Sequence, residues 1–266
     1  MGQRPTFELF AGELRRMRQA TNLSQETLAQ RLRYSASLVA AIEQGRRVPS
    51  LDFTRRCDQV LETGGLLERI RDALTREALL PWFQEWVQVE RAALALRSFE
   101  PLVIPGLLQT EEYARALNQG ASQFSEHEME EQVSARMARQ AVLTRDDPPR
   151  LSFVLDEHVL RRPVGGAKVM REQLARLVEA GALWNVTIHV VPASVGAYPG
   201  LNGAFVVATP EVGDDVAYLD NQILGVVVDR AASVLKLRNI WESVHGEALS
   251  HAQSIKLITE AMETWT

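Results

Sequence analysis

Apolar residues in the first 62 positions recur at the spacing of short α-helices. The first helix carries an apolar face, at intervals of three and four, made of Phe7, Phe10, Leu14 and Met17. The same spacing of apolar residues predicts three further helices. Ser24 and Ser35 are suited to cap the second and third helices, and Gly45 is suited to end the third. The pattern predicts a small all-α domain over residues 1–62.

Two longer helical patterns follow, near residues 66–79 and 82–97. Gly64 and Gly65 precede them and predict a hinge. We assign residues 63–98 to a helical linker that can supply dimerisation helices. A buried core, a dimer interface or a ligand pocket would each explain the aromatic residues Trp82, Phe83 and Trp86.

The pattern changes after residue 149, where short segments become rich in valine and aromatic residues. Five strands are predicted over residues 150–157, 186–192, 203–209, 216–221 and 223–229. A helix over residues 167–181 separates the first two strands, and about 35 residues at the end return to helical spacing. Residues 99–266 are therefore predicted to form a mixed α+β domain.

Charge is distributed unevenly along the chain, although the net charge of the 266 residues is −5. Nine arginines and three acidic residues lie between Arg15 and Arg56, whereas residues 63–266 hold 19 basic and 27 acidic side chains. A basic end of this kind favours a polyanionic partner. No apolar run has the length of a membrane span, and the first residues lack a signal-peptide pattern, so we expect a cytoplasmic protein. The single cysteine, Cys57, excludes an internal disulfide and is expected in the core.

Small residues occupy the point where the third helix begins, within the most basic part of the chain. Two short helices joined by a three-residue turn form a helix-turn-helix unit, which presents the start of its second helix to the major groove of DNA. That position is held by Ser35, Ala36, Ser37 and Leu38. Arginines around it would neutralise phosphates, and Gln25 at the start of the preceding helix would reach another phosphate. The alternative is a helical bundle with a solvated arginine face.

The stretch LSQETLAQRLRYSASLVAAIEQGRRVPS, residues 23–50, resembles the Xre/Cro-CI family of helix-turn-helix regulators. The resemblance covers residues 7–62. It implies that Gln25 contacts phosphate, that Glu43 supports the fold, and that the side chains facing DNA are those of Ala36, Ser37, Leu38 and Ala41. Arg33 departs from the family, in which glycine is common in the turn. If this position needs a positive φ, arginine there costs on the order of 1 kcal/mol and adds charge near the DNA backbone.

The stretches FEPLVIPGLLQTEEYARAL, FVLDEHVLRRPVGG and ALSHAQSIKLI resemble the effector-like domain of WhiJ-type regulators of actinobacteria. The resemblance covers roughly residues 75–263. It implies a transcription regulator, often linked to development or secondary metabolism and encoded beside a small acidic partner protein. It implies no ligand and no site residue. The fold class predicted for the whole chain is α+β, with an N-terminal all-α helix-turn-helix domain followed by a larger mixed effector-like domain.

A ligand site in this larger domain would use Arg161 and Arg162, which precede two glycines that open a helix. The alternative is a turn whose arginines pair with Asp156 or Glu157. Tyr198 lies in a glycine- and proline-rich segment that is either a flexible lid or a plain connecting loop. The histidines His158 and His189 are isolated in sequence and are interpreted as structural, so we expect no metal and no cofactor.

No nucleotide-binding, metalloprotease or hydrolase motif is present, so we expect no enzymatic activity. The sequence favours a transcription regulator that binds a double-stranded DNA operator. We expect a homodimer, because one short helix reads only a few base pairs and this class reads paired half-sites. Arg33, Arg46 and Arg47 complete the predicted DNA-binding set. The alternative is an antitoxin-like protein whose main role is to bind the small acidic neighbour, and a small-molecule effector remains a second possible partner.

Overall fold

The computed structural model describes residues 5–78, 81–121, 126–221 and 224–266. The chain divides into two compact units. The first comprises Met1–Leu79 and Ala121–Ala138, and the second comprises Leu80–Gly120 and Arg139–Thr266.

The first unit is helical, as predicted. Its helices are α1 (Pro5–Ala20), α2 (Gln25–Leu32), α3 (Ala36–Glu43), α4 (Leu51–Val60), α5 (Leu66–Ala78) and most of α8 (Glu126–Arg139). Three of these helices begin at a serine whose hydroxyl accepts a hydrogen bond from the backbone N–H three residues later, namely Ser24, Ser35 and Ser50. Cys57 is fully buried in the core between the helices, as expected.

Helix α5 belongs to this core, so a domain that stops at residue 62 is too short. Leu67 and Ile70 are buried in the same cluster as Phe10 and Leu28. Asp58 holds the start of α5, because its carboxylate accepts hydrogen bonds from the N–H groups of Leu67 and Glu68 at 3.0 and 2.9 Å. The two glycines before α5 adopt positive φ and form a turn between packed helices, not the hinge that the sequence predicted.

The second unit is a six-stranded mixed sheet with helices. Its strands are β1 (Ala93–Glu100), β2 (Arg150–Asp156), β3 (Val186–Val191), β4 (Phe205–Pro210), β5 (Val216–Asp220) and β6 (Gly225–Val228). Its helices are α6 (Pro81–Ala92), α7 (Glu111–Ala121), α9 (His158–Arg161), α10 (Ala167–Gly181), α11 (Ala231–Glu247) and α12 (His251–Glu263). The strand order is β3-β2-β1-β4-β5-β6, in which β1, β2 and β3 are parallel and the remaining neighbours are antiparallel.

Strand β1 was missed by the sequence reading. The helix predicted over residues 82–97 ends at Ala92, and the strand that follows pairs with β2 on one side and β4 on the other. A boundary between residues 98 and 99 therefore falls inside a central strand. The alanine and leucine residues of β1 favour a helix in isolation, but burial on both sheet faces overrides that preference. Leu96 packs into the core on one face and Phe99 into the core on the other.

Each sheet face carries its own core. The first core joins the sheet to α10 and α12, and the second lies under Trp241 and Val244 of α11. Trp86 stacks on Tyr218 with ring centroids 5.2 Å apart, and Phe83 meets the same ring edge-on at 5.4 Å. Trp86 is thus a core residue and Phe83 packs against the same core, while the side chain of Trp82 lies outside the described residues.

Candidate nucleic-acid interface

Helices α2 and α3 are joined by a tight turn of three residues, Arg33, Tyr34 and Ser35. Arg33 adopts the left-handed conformation with φ 60° and ψ 43°, and the Tyr34 N–H closes the turn on the Ala29 carbonyl at 3.0 Å. Leu28 of α2 and Val39 of α3 are fully buried between the helices. This geometry is that of a helix-turn-helix unit.

The outward face of α3 is made of small and uncharged side chains. Ser37 is exposed, and its hydroxyl lies 3.0 Å from that of Ser35, which caps the helix. Ala41 is half-buried on the same face. Ala36 and Leu38 are also half-buried, but both pack against the helical core, so part of their surface is already used. Among the predicted contact residues, Ser37 is therefore the most accessible on α3.

The sequence reading missed two residues of this face. Ala40 is half-buried, and Gln44 is exposed immediately after the last turn of α3. Residues seven positions apart lie on the same face of a helix, so helical spacing alone places Gln44 on the face of Ser37. The Gln44 side-chain oxygen accepts a hydrogen bond from Arg46 Nη2 at 2.5 Å.

Glu43 organises the base of the interface. Its side chain is buried and accepts hydrogen bonds from Arg18 at 2.6 and 2.9 Å and from Gln25 Nε2 at 2.7 Å. Burial alone would raise the pKa of Glu43, but the hydrogen bonds from Arg18 and Gln25 and the charge of Arg15 hold that pKa below its usual value. Gln25 is thus fixed at the start of α2, and the dipole at a helix N-terminus favours a nearby anion.

The nine arginines between Arg15 and Arg56 fall into two groups. Five are tied to partners in the unit: Arg15, Arg16, Arg18, Arg55 and Arg56. Four others are exposed, and among the described residues no carboxylate lies within ion-pair distance of them: Arg31, Arg33, Arg46 and Arg47. These four flank the two ends of α3 in sequence. They supply a local excess of positive charge that the unit itself does not neutralise.

The left-handed backbone at Arg33 gives a first prediction. Replacing Arg33 with glycine should raise the free energy of unfolding by about 1 kcal/mol, because glycine adopts this conformation without steric cost. The same change removes one of the four exposed arginines and should weaken DNA binding. Chemical denaturation and a gel-shift titration measure the two effects. Arg31→Gly is the control, since at this helical position glycine should destabilise the unit; a fall in stability for Arg33→Gly would contradict the prediction.

Two of the three residues predicted to bind a ligand in the second unit, Arg161 and Tyr198, are engaged with their neighbours. Arg161 pairs with Glu157 at 2.8 Å, and the other Glu157 oxygen accepts the Ala193 N–H at 2.9 Å. Arg162 is exposed. The pairing of Arg161 with Glu157 agrees with the alternative to an anion site, a turn whose arginines pair with neighbouring acidic residues.

Tyr198 closes its segment onto the end of β2. Its hydroxyl donates to Asp156 Oδ2 at 2.6 Å, while the other Asp156 oxygen contacts the backbone N–H and ring of His158. Burial and this hydrogen bond raise the pKa of Tyr198. Burial would raise the pKa of Asp156, but the bonds from Tyr198 and His158 keep it below its usual value. The segment around Tyr198 is thus anchored to the sheet at this point.

His189 is isolated in sequence but lies close to two other histidines in the fold. Its ring centroid lies 4.5 Å from that of His245 on α11 and 6.4 Å from that of His251 on α12. Burial lowers the pKa of His189, and the two neighbouring histidines lower it further, against a hydrogen bond to the Leu249 carbonyl. These contacts join residues about 60 positions apart, which periodicity cannot reveal. Across the described residues, no group of three or more histidine, cysteine or acidic side chains has an arrangement that could hold a metal ion.

The helical unit and the sheet unit define a helix-turn-helix protein with a second, larger domain. Residues 9–70 match the family described as helix-turn-helix domain. Residues 83–260 match the family described as domain of unknown function (DUF5753), and the chain belongs to that family. Neither a curated protein nor a solved structure matches the chain. In the described part of the chain, no helix combines the length and the apolar character needed to cross a membrane.

Proposed function

We propose that the protein is a sequence-specific transcription regulator that places α3 in the major groove of a DNA operator. The observation that supports this most strongly is the small, uncharged face of α3, together with the four exposed arginines near its ends for which the described residues offer no carboxylate within ion-pair distance. A groove about 12 Å wide admits a helix with small side chains at close approach. The helix-turn-helix domain itself indicates a DNA-binding regulator.

The proposed interface divides into base contacts and phosphate contacts. Base edges would meet Ser37, Ala41 and Gln44, with the accessible parts of Ala36 and Leu38 close to thymine methyl groups. Phosphates would meet Arg33, Arg46 and Arg47, together with Ser35 and Gln25 at the starts of α3 and α2. Only the first group would determine which sequence is bound.

The phosphate contacts are tested by the salt dependence of binding. Arg46→Ala and Arg47→Ala should each weaken binding to specific and unrelated duplexes alike, and should each reduce the slope of log K against log salt by about 1. Fluorescence anisotropy at several salt concentrations measures both quantities. Arg55→Ala is the matched control, because Arg55 is paired with Glu68 at 2.9 Å, and its slope should stay unchanged. A variant that alters sequence preference at constant slope would mean that this arginine reads a base.

The larger domain is proposed to join two chains and to sense a ligand or bind a partner. We propose a homodimer in the cytoplasm, where the operator is accessible, and an Xre-type regulator of actinobacterial origin, with no catalytic activity and no cofactor. A purification of the chain without added ligand separates the two kinds of partner. A small acidic protein held at equal stoichiometry would support partner binding, whereas a retained metabolite would support sensing.

A further inference from the structure

Three histidines from β3, α11 and α12 meet beside the edge strand of the sheet. In this histidine cluster the ring centroid of His189 lies 4.5 Å from that of His245 and 6.4 Å from that of His251. Trp241 stacks on His245 with ring centroids 5.9 Å apart. All three histidines are half-buried, so the cluster is partly withdrawn from water.

Two rings of the cluster also fasten the segment between α11 and α12 to β3. His251 Nδ1 accepts the Ile188 N–H at 3.1 Å, and His189 Nδ1 donates to the Leu249 carbonyl at 3.0 Å. Beside them, the Leu249 N–H donates to the Val190 carbonyl at 2.9 Å. The segment that joins the two helices is thus held on the edge strand by imidazole and backbone hydrogen bonds.

The bond from the Ile188 N–H requires a neutral His251. An imidazole nitrogen accepts a hydrogen bond through its lone pair, whereas a protonated ring carries hydrogen on both nitrogens. Protonated Nδ1 can donate only to the Ile188 carbonyl, which lies 3.2 Å away, and the Ile188 N–H then loses its partner. Ile188 is fully buried, and an unpaired N–H away from water is costly. Protonation of His251 therefore weakens its attachment to β3.

The surroundings of the histidine cluster supply no negative charge to offset a proton. Strand β2 places Val154 opposite His189, and helix α10 places Gly181 beside His251. In the part of the chain that the structure describes, no carboxylate lies within ion-pair distance of the three rings. The acidic residues near the carboxyl ends of α10 and α11 are exposed, namely Glu179, Glu242 and Glu247.

Protons therefore favour a released segment over an attached one. Burial, together with the charges of His245 and His251, lowers the pKa of His189 below its ordinary value of 6.5. Once the segment is released, His189 is solvated and its pKa returns to the ordinary value. Between these two pKa values the released state holds more protons, so the attached state loses stability as the pH falls. A proton on one ring also opposes a second proton on its neighbour.

We propose that the histidine cluster is a pH-sensitive switch, which holds the segment between α11 and α12 on β3 when its rings are neutral and releases that segment in mildly acidic solution. Protonation removes the acceptor of the Ile188 N–H and places like charges on neighbouring rings. The outer backbone groups of β3 then become accessible. This switch belongs to the larger domain and does not depend on DNA binding by α3.

Hydrogen exchange of the full-length protein tests the switch. From about pH 7.5 to about pH 5.5, the protection factors of the Ile188 and Val190 amides should fall about tenfold or more, because one unit of pKa shift corresponds to a factor of ten. Amides of the central strand β1 should keep their protection. The double variant His189→Asn, His251→Asn does not titrate, yet its amide groups can still donate and accept at these positions, so its protection should stay constant. Equal pH dependence in the wild-type chain and the double variant would overturn the switch.

Two further measurements separate titration from simple loss of a bond. Ser254 Oγ accepts the Val190 N–H at 2.9 Å and has no proton to gain in this pH range, so Ser254→Ala should lower protection by the same factor at both pH values. Nuclear magnetic resonance of the wild-type rings needs no variant, and His189 should take up its proton below pH 6.5. A His189 ring that is protonated above pH 6.5, or wild-type protection that is equal at both pH values, would contradict the proposal.

Discussion

Replacing Ser37 with glutamate is expected to reduce operator affinity at least ~100-fold. Ser37 is the exposed residue at the start of α3, so the new carboxylate would face phosphates and base edges at the closest approach. Like charges brought together in an interface cost several kcal/mol, which corresponds to a loss of this size. Because Ser37 lies outside the helical core, the helical content should stay unchanged. A gel-shift titration and circular dichroism measure the two quantities.

Two variants separate position from charge. Gln19→Glu adds the same charge at an exposed site of α1 and should lower affinity only slightly, since an exposed charge away from the contact surface is screened by salt. Ser37→Ala removes only the hydroxyl and should have a small effect. Leu38→Glu is less informative, because Leu38 packs against the core and its replacement also destabilises the unit. Operator affinity retained by Ser37→Glu would remove α3 from the interface.

A second large effect is expected when half of the operator is deleted. The full-length dimer should bind a duplex with one half-site 10²–10⁴-fold more weakly than a duplex with two, because the second head binds at the high effective concentration set by its tether. Moving the half-sites apart by five base pairs should also lower the affinity, since the second half-site then lies on the opposite face of the duplex. Titrations at constant salt measure both.

If wild-type protein binds one and two half-sites with equal affinity, the operator is read by a single head and pairing contributes nothing to affinity.

The helical unit could be predicted closely because its signals are local. Ser24 and Ser35 cap helices by accepting hydrogen bonds from backbone N–H groups three residues later, and apolar spacing predicted the inward face of α1 on which Phe10 and Leu14 are buried. The resemblance raised the question of whether position 33 needs a positive φ. The φ of 60° at Arg33 shows that it does. Helix α5 was separated from this unit only because a glycine pair was interpreted as a hinge.

The larger domain shows where local patterns fail. The strands β2 to β6 follow their valine-rich segments, but β1 has a helical composition and is a strand because it is paired on both sides. The histidines near His189 meet through three elements that are remote in sequence. Likewise, side chains near the start of α12 bond to the outer backbone groups of β3, and no feature of β3 alone reveals this.

The most direct test of the central claim is selection of bound duplexes from a random DNA pool by the full-length protein, with Ser37→Glu run in parallel. We predict enrichment of one inverted repeat whose half-site centres lie about one helical turn apart, and no enrichment with the variant. Recovery of the same sequences by the variant, or of no common sequence by the wild-type chain, would contradict specific DNA reading by α3.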